Sequence, residues 1–117
     1  MGRPSDELSV LLVGDRAIRR LNRVYLNRDH PTDVLAFPQP KGFPSPGPHL
    51  LGDVVISVET AARQAKAQGH SLDQELALLL IHGLLHLLGY DDSTPAARRR
   101  MSSTQARLLA ISTGRPS

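Results

Sequence analysis

Two histidines, His82 and His86, lie four residues apart in the sequence HGLLHLLGYDD, one of the most apolar stretches of the chain. On an α-helix, residues at i and i+4 share one face about one turn apart, so the two imidazoles can converge on one metal ion. Neutral imidazole is the commonest protein ligand for zinc and related metals. The alternative is that both rings pack in the core, bonded to local carbonyl groups, which is costly for two polar rings without a further purpose. The spacing therefore favours a metal site.

A third ligand is predicted just after the histidines. Gly89 allows the chain to reverse in a left-handed turn, which would bring Asp91 or Asp92 toward the same ion. Three protein ligands leave one position for water, as in catalytic zinc sites. Because a bound ion lowers the pKa of that water to about 7, the pattern predicts hydrolysis.

The same spacing matches the protease motif H-E-x-x-H-x-x-G-x-x-H except at two positions. Gly83 stands where these proteases carry their catalytic glutamate, and Asp92 stands where they carry the third histidine. Without that general base, peptide hydrolysis loses its main participant. Protease activity is therefore disfavoured.

The composition predicts one compact domain. The chain has 117 residues, no cysteine and 40% hydrophobic residues, which is enough to bury a core without disulfides. The lack of cysteine excludes thiolate metal ligands and suits a reducing cytoplasm. The first ten residues show no apolar export signal, and the apolar run at residues 76–88 is too short to span a bilayer. We expect a cytoplasmic protein that has no membrane association.

The elements that position the histidines are predicted to form a small α/β (α+β) domain over residues 1–117. Short β-branched runs predict strands at residues 7–13, 33–38 and 52–57. Four helices are predicted around this mixed sheet. Residues 1–6 and 112–117 are predicted to be flexible, and the Pro- and Gly-rich loop at residues 39–50 is predicted to be mobile.

Capping residues and apolar periodicity predict where the four helices begin and end. The third helix, residues 72 to about 88, is apolar nearly all round and is predicted to be the buried central helix. Asp15 is predicted to be the N-cap of a first helix that ends near Leu26, and Ser57 to be the N-cap of a second helix at residues 58–68, which Gly69 ends. Ser71 and Gln74 are predicted to form a capping box at the start of the third helix. Thr94 and Pro95 are predicted to begin a last helix that runs through about Ala110.

HGLLHLLGYDD, LNRVYLNRDHPTDVLAFP and LGDVVIS are three segments that together resemble the YbeY family of metal-dependent endoribonucleases. HGLLHLLGYDD is similar to the family signature H-G-x-L-H-L-x-G-Y-D-H. LNRVYLNRDHPTDVLAFP resembles the segment L-N-x-x-Y-R-x-x-D-x-P-T-D-V-L-S-F-P, and LGDVVIS resembles the strand L-G-D-I-V-I-S. The three motifs occur in the family order, and the resemblance covers about residues 7–110.

The resemblance implies a mixed α/β fold with the histidines on a central helix. It also implies a role in ribosomal RNA maturation, especially at the 3′ end of the small-subunit RNA, and in ribosome quality control. Carried over residue by residue, His82 and His86 are the first two metal ligands and the third falls on Asp92. The expected cofactor is one divalent ion, zinc first, with Ni²⁺ or Mn²⁺ as alternatives.

Position 92 departs from the family because it is aspartate rather than histidine. A carboxylate oxygen is an acceptable zinc ligand. Its charge would weaken the polarising power of the ion and broaden the choice of metal toward harder ions such as Mn²⁺. Asp91, or a two-histidine site completed by water, are the alternatives.

A second departure is Leu26, where the family has arginine directly after the tyrosine. Arg28 lies close by and is the predicted catalytic residue, because its guanidinium could hold the scissile phosphate and stabilise developing charge. The alternative is that Arg28 is an exposed loop arginine.

The predicted partner is single-stranded ribosomal RNA, together with the small subunit or its assembly factors. The formal net charge is +3, and arginines cluster in two segments, around residues 16–28 and at residues 98–100. These clusters would supply contacts to the RNA backbone, so binding should fall steeply with salt. Two other functions stay open: a metal-dependent hydrolase of another substrate class, and a non-catalytic ribosome-assembly factor.

Overall fold

The computed structural model describes residues 7–39, 50–91 and 93–112. The predicted fold class is confirmed: four helices surround a mixed three-stranded sheet. The termini predicted to be flexible lie outside the described residues, apart from Ser112, and so does the predicted loop between residues 39 and 50. The elements are β1 (Glu7–Val13), α1 (Asp15–Leu26), β2 (Val34–Pro38), β3 (Leu50–Ser57), α2 (Val58–Gln68), α3 (Leu72–Leu87) and α4 (Pro95–Ser112).

The sheet has the order β1-β3-β2, with β1 parallel and β2 antiparallel to the central β3. Side chains alternate across a strand, so β3 presents neighbouring residues to opposite faces. Val54 and Ile56 pack with Leu79 of α3 on one face, and Val55 packs with Ile18 of α1 on the other. Helices α1 and α3 therefore cover opposite faces of the sheet.

Helix α3 is central, as predicted, because it contacts α2, α4, β2 and β3. Its outer side is covered by α4, where Met101 packs against Ile81 and Leu85. All three of these side chains are buried. In the part of the chain that the structure describes, no helix has the length and hydropathy needed to cross a membrane.

The predicted caps of α2, α3 and α4 are confirmed. The Ser57 hydroxyl accepts a hydrogen bond from the Thr60 amide at 3.3 Å. Ser71 and Gln74 form both bonds of a capping box at the start of α3. The Thr94 hydroxyl accepts from the amide of Ala97 at 3.0 Å. These local bonds satisfy amide groups that the first turn of a helix leaves unpaired.

A buried glutamate and a half-buried histidine join the turn between α2 and α3 to the start of α3. The Glu75 side chain is only 1% exposed, and its Oε1 lies 2.5 Å from Nε2 of His70. A buried carboxylate needs such a partner. The pair therefore holds the first turn of α3 against the end of α2.

The prediction that Asp15 is the N-cap of α1 is wrong. Gly14 occupies the N-cap position without a side-chain bond, and Asp15 is the first helical residue. The Asp15 carboxylate instead accepts hydrogen bonds from the hydroxyls of Ser57 and Thr60, both at 2.5 Å, and from the guanidinium of Arg63 at 2.7 Å. These three bonds, that of Ser57 first, lower the pKa of Asp15 from its ordinary value of 3.8 to about 2. Asp15 therefore joins α1 to the junction of β3 and α2.

We expect Asp15→Asn to lower the free energy of unfolding by about 1 to 2 kcal/mol at neutral pH, less than the full shift implies because part of the side chain meets water. The folded pKa lies below the unfolded one, so this stabilisation is complete above about pH 4 and is lost as pH falls toward 2. Urea unfolding of both proteins across this range measures it. Asp29→Asn is the control, since the Asp29 ion pair with Arg19 is exposed. A deficit in Asp15→Asn that stayed constant down to pH 2 would contradict the assignment.

Candidate functional site

His82 and His86 lie side by side on successive turns of α3. Their Nε2 atoms are 3.2 Å apart, and the two ring planes cross at 76°. His82 is half-buried and His86 is exposed. The alternative in which both rings pack in the core does not fit this exposure.

The separation of the two Nε2 atoms fits two ligands of one ion. Nitrogen ligands of a tetrahedral zinc ion lie about 2.0 to 2.1 Å from the metal, which puts them about 3.3 Å from each other. The observed 3.2 Å between His82 and His86 is close to that value. The pair can therefore supply two of the ligands of a divalent ion with little movement of either ring.

Gln105 of α4 holds the His82 ring from the other side. Its Oε1 lies 2.9 Å from Nδ1 of His82. An amide oxygen only accepts, so Nδ1 carries the proton and Nε2 keeps its lone pair for a metal. Contacts of this kind orient metal-binding histidines and set their tautomer. Gln105 is absent from the sequence prediction because it lies 23 residues from His82 and belongs to no recognisable spacing.

Gly83 explains why this helix has no glutamate after its first histidine. A Cβ atom at position 83 would lie 2.7 Å from Cγ1 of Val54 and 3.4 Å from Cγ2 of Val34. Such contacts leave no space for any side chain. Position 83 therefore faces the sheet, and the protease-like glutamate has no space here.

The chain reverses after α3 as predicted. Gly89 has a φ of 98°, and the amides of Gly89 and Tyr90 bond the carbonyls of His86 and Leu85 at 3.1 and 2.9 Å. This is the Schellman pattern, which needs a residue that tolerates the left-handed conformation. The chain beyond the turn runs back alongside the end of the helix.

Of the two candidate third ligands, Asp91 and Asp92, the structure describes only Asp91. Asp91 is exposed, and its Oδ1 accepts bonds from the amide and the hydroxyl of Ser93 at 3.1 and 2.8 Å. These bonds are the main reason that the pKa of Asp91 is lowered. Asp92 lies outside the described residues, so its role as a ligand stays a prediction. Within residues 7–39, 50–91 and 93–112, no three metal-binding side chains converge.

A surface hollow of about 360 Å³ lies beside the end of α3. Its polar lining includes Asp91 and Arg100, and its apolar lining includes Tyr90. Arg100 and His86 both lie near enough to Asp91 to add to the lowering of its pKa, so both side chains border the same region. The hollow is thus an open, partly basic surface next to the exposed histidine.

Arg28, the predicted catalytic residue, lies exposed after the end of α1. Asn27 there adopts the left-handed conformation with a φ of 56°, and the Arg28 amide bonds the Asn22 carbonyl at 3.2 Å. The buried Asn22 side chain also donates to the carbonyl of His30 at 2.9 Å, which fixes the loop before β2. No contact in the described chain joins the Arg28 side chain to His82 or His86, so its catalytic role stays a prediction.

Comparison with known proteins connects this geometry to one family. The family profile described as Endoribonuclease YbeY matches residues 2–112. The chain belongs to the YbeY family. An Endoribonuclease YbeY of Geobacter metallireducens is 46% identical over 114 residues, which is 95% of this chain and 76% of that relative.

Other YbeY relatives are longer than this chain. An Endoribonuclease YbeY of Myxococcus xanthus is 56% identical over 106 residues, which is 88% of this chain but only 35% of the relative. The solution structure of TM1509 from Thermotoga maritima superposes with a TM-score of 0.62 at 28% identity, over 88% of this chain and 65% of that one. The expected YbeY fold is thus confirmed, while the chain spans about a third of the Myxococcus relative.

We expect Gly83→Ala to destabilise the protein by about 1 to 3 kcal/mol, because the new methyl would overlap Val54. The usual effect of this substitution in a helix is the opposite, a gain of up to about 1 kcal/mol. Urea unfolding gives the sign directly. In the double variant with Val54→Ala, the Gly83→Ala penalty should shrink, because the clashing methyls are gone. A more stable Gly83→Ala single variant would contradict the close packing.

Proposed function

We propose that this protein is a metal-dependent endoribonuclease that cuts single-stranded RNA. Its proposed substrate is ribosomal RNA, in particular the 3′ end of the small-subunit RNA, in maturation and quality control in the cytoplasm. The small subunit or its assembly factors would present this RNA. Membership of the YbeY family supports the proposal, since its curated relatives carry the name Endoribonuclease.

The observation that carries the proposal is the pair of histidine nitrogens 3.2 Å apart on the accessible side of α3. His82 and His86 would hold one divalent ion, with Asp92 as the proposed third ligand and zinc as the first choice of metal. Such an ion supplies Lewis acidity toward a phosphate oxygen and lowers the pKa of water. Exposed ligands and room for substrate are typical of a catalytic metal site, whereas a structural metal site is closed by four protein ligands.

Other residues would orient the metal ligands and bind the phosphate of the RNA. Gln105 fixes the His82 ring so that Nε2 faces the same point as Nε2 of His86. The turn at Gly89 leads the chain past the end of α3, beside the hollow that Arg100 lines. An arginine there can bind a non-bridging phosphate oxygen with charge-assisted hydrogen bonds. Arg28 stays the second candidate for that contact, on the basis of its place in the family motif.

The first test measures bound metal and RNA cleavage on the same samples. We expect the wild type to hold about one divalent ion and to cut a single-stranded ribosomal RNA fragment only when metal is present. His86→Ala and Asp92→Ala should lose both properties. His30→Gln is the control, because the His30 ring is exposed and its one hydrogen bond within the described residues is to the carbonyl of Pro31.

The outcomes of this test separate the open functions. Bound metal without RNA cleavage, but with hydrolysis of a peptide or a nucleotide ester, would favour the other hydrolase. A chain that takes up no metal would leave the assembly factor, in which case His82→Ala should not affect ribosome association. Asp92→Ala with full metal content would exclude Asp92 as a ligand while leaving the histidine site in place.

We further expect Gln105→Ala to weaken zinc binding by about 10- to 100-fold, because the His82 ring loses its orienting acceptor. Gln105→Glu keeps an acceptor oxygen and should bind zinc nearly as well as the wild type. Competition with a chromogenic chelator gives the affinity, and ¹⁵N chemical shifts of His82 show whether the proton leaves Nδ1. Ser103→Ala, at an exposed position of α4, is the control. An unchanged affinity and tautomer in Gln105→Ala would exclude this role.

A further inference from the structure

Helix α1 carries a second basic surface, away from the histidines. Four exposed arginines follow the spacing of one helix face and line a hollow of about 410 Å³ together with Asp29. We call this the α1 arginine surface. Its arginines are Arg16, Arg19, Arg20 and Arg23.

The α1 arginine surface lies across the sheet from the candidate metal site. Ile18 of α1 packs on Val55 and Leu35, on one face of the sheet. Helix α3 packs on Val54 and Ile56, on the other face. The arginines point away from the side of α1 that covers the sheet, since Ile18 is fully buried and they are exposed. A ligand on this surface is therefore not in contact with the histidines.

The positive charge of this surface is largely uncompensated. Asp29 pairs with Arg19 at 2.9 Å, and this hydrogen bond is the main reason that the pKa of Asp29 is lowered. The side chains of Arg16, Arg20 and Arg23 make no hydrogen bond or ion pair within the described residues, and Arg23 lies near enough to Asp29 to add to the lowering of its pKa. Asp15, the acidic residue of α1, faces Ser57, Thr60 and Arg63 instead.

The arrangement is unfavourable for the helix by itself. Like charges four residues apart, such as Arg16 with Arg20 and Arg19 with Arg23, repel each other. Arg16 also lies in the first turn, where the helix dipole disfavours a cation. Bound anions would relieve both effects.

The geometry fits a row of phosphates. Arg16, Arg20 and Arg23 extend over about 10 Å of the helix axis, comparable to three nucleotides of a duplex strand at about 3.4 Å each. Among the described residues, no aromatic side chain lines the hollow, so these residues offer no base stacking. Contacts to the backbone without base readout are what such a surface offers.

We propose that the α1 arginine surface binds the phosphate backbone of RNA at a segment separate from the one at the histidines. This inference rests on the proposed function, because it names where the RNA is anchored. The surface anchors RNA without sequence preference, and cleavage takes place on the other side of the sheet. An RNA long enough to reach both sites gains affinity from both, whereas a tetranucleotide, roughly 14 Å long when stacked at about 3.4 Å per nucleotide, does not.

The test compares two variants that lose the same charge. Arg16→Gln/Arg20→Gln removes two cations from the surface, and Lys66→Gln/Arg107→Gln removes two from exposed positions on α2 and α4. Binding of a labelled oligouridylate of about twenty nucleotides is measured on chelator-treated full chain, as a function of salt. Without metal, RNA binding is read independently of whether the protein cuts RNA.

We expect the α1 double variant to bind about tenfold more weakly and to reduce the slope of log affinity against log salt by about 1.4, at about 0.7 per phosphate contact. The control variant should retain most of its affinity. Asp29→Asn should bind at least about twofold more tightly, because it frees Arg19. On RNA that the metal-loaded protein cuts, the α1 variant should raise KM for the long substrate and leave kcat, and cleavage of the tetranucleotide, unchanged.

Three results would overturn the inference. The first is an unchanged affinity and salt slope in the α1 variant, and the second is an equal loss in both variants, which would reflect net charge alone. The third is loss of binding to polyglutamate but not to RNA, which would assign the surface to an acidic protein. Failure of the wild type to cut RNA would instead count against the proposed function. The binding measurements would still decide whether the α1 arginine surface binds RNA.

Discussion

Helix α3 approaches the sheet so closely at Gly83 that one added methyl would overlap Val54, and this contact sets the rotation of the helix about its axis. Residues on an α-helix advance by about 100° each, so positions 82 and 86 lie about 100° and about 60° to the same side of position 83, at the flank of the helix and not on the line that faces Val54. The histidines are accessible for that reason, although they lie in an apolar stretch. The absence of a side chain at one position thus determines where the two imidazoles lie.

Packing by α4 completes the orientation of the first histidine. Met101 is buried against Ile81 and Leu85 of α3. Gln105 follows Met101 by four residues, so it shares the face that the apolar contact presses onto α3. Its amide oxygen then reaches Nδ1 of His82. The hydrophobic contact of Met101 therefore positions the polar contact of Gln105 at the candidate metal site.

The sequence predicted those features of the fold that depend on residues close together in the chain, such as helix caps and turns. The serines before α2 and α3 cap helices because each bonds an amide three residues along the chain, and Gly89 reverses the chain through its own φ. Asp15 was misassigned because its partners lie more than forty residues away, where a stronger set of donors competes for the carboxylate. The contact from Gln105 to His82 and the pair of His70 with Glu75 were missed because both depend on how the helices pack. The histidine pair was found because both residues lie on one helix.

The central strand β3 separates the two surfaces for which functions are proposed. Val54 and Ile56 anchor the helix with the histidines, while Val55 between them anchors the helix with the arginines. A helix packs about 10 Å from the layer that it covers, so the two surfaces lie farther apart than the screening length of about 8 Å at physiological salt. Cations on α1 can therefore add to the attraction of a polyanion with little effect on the electrostatic potential at His82 and His86. Because the anchors alternate along one strand, the RNA binding and the metal chemistry proposed for the two surfaces could change independently, as long as the sheet itself stays intact.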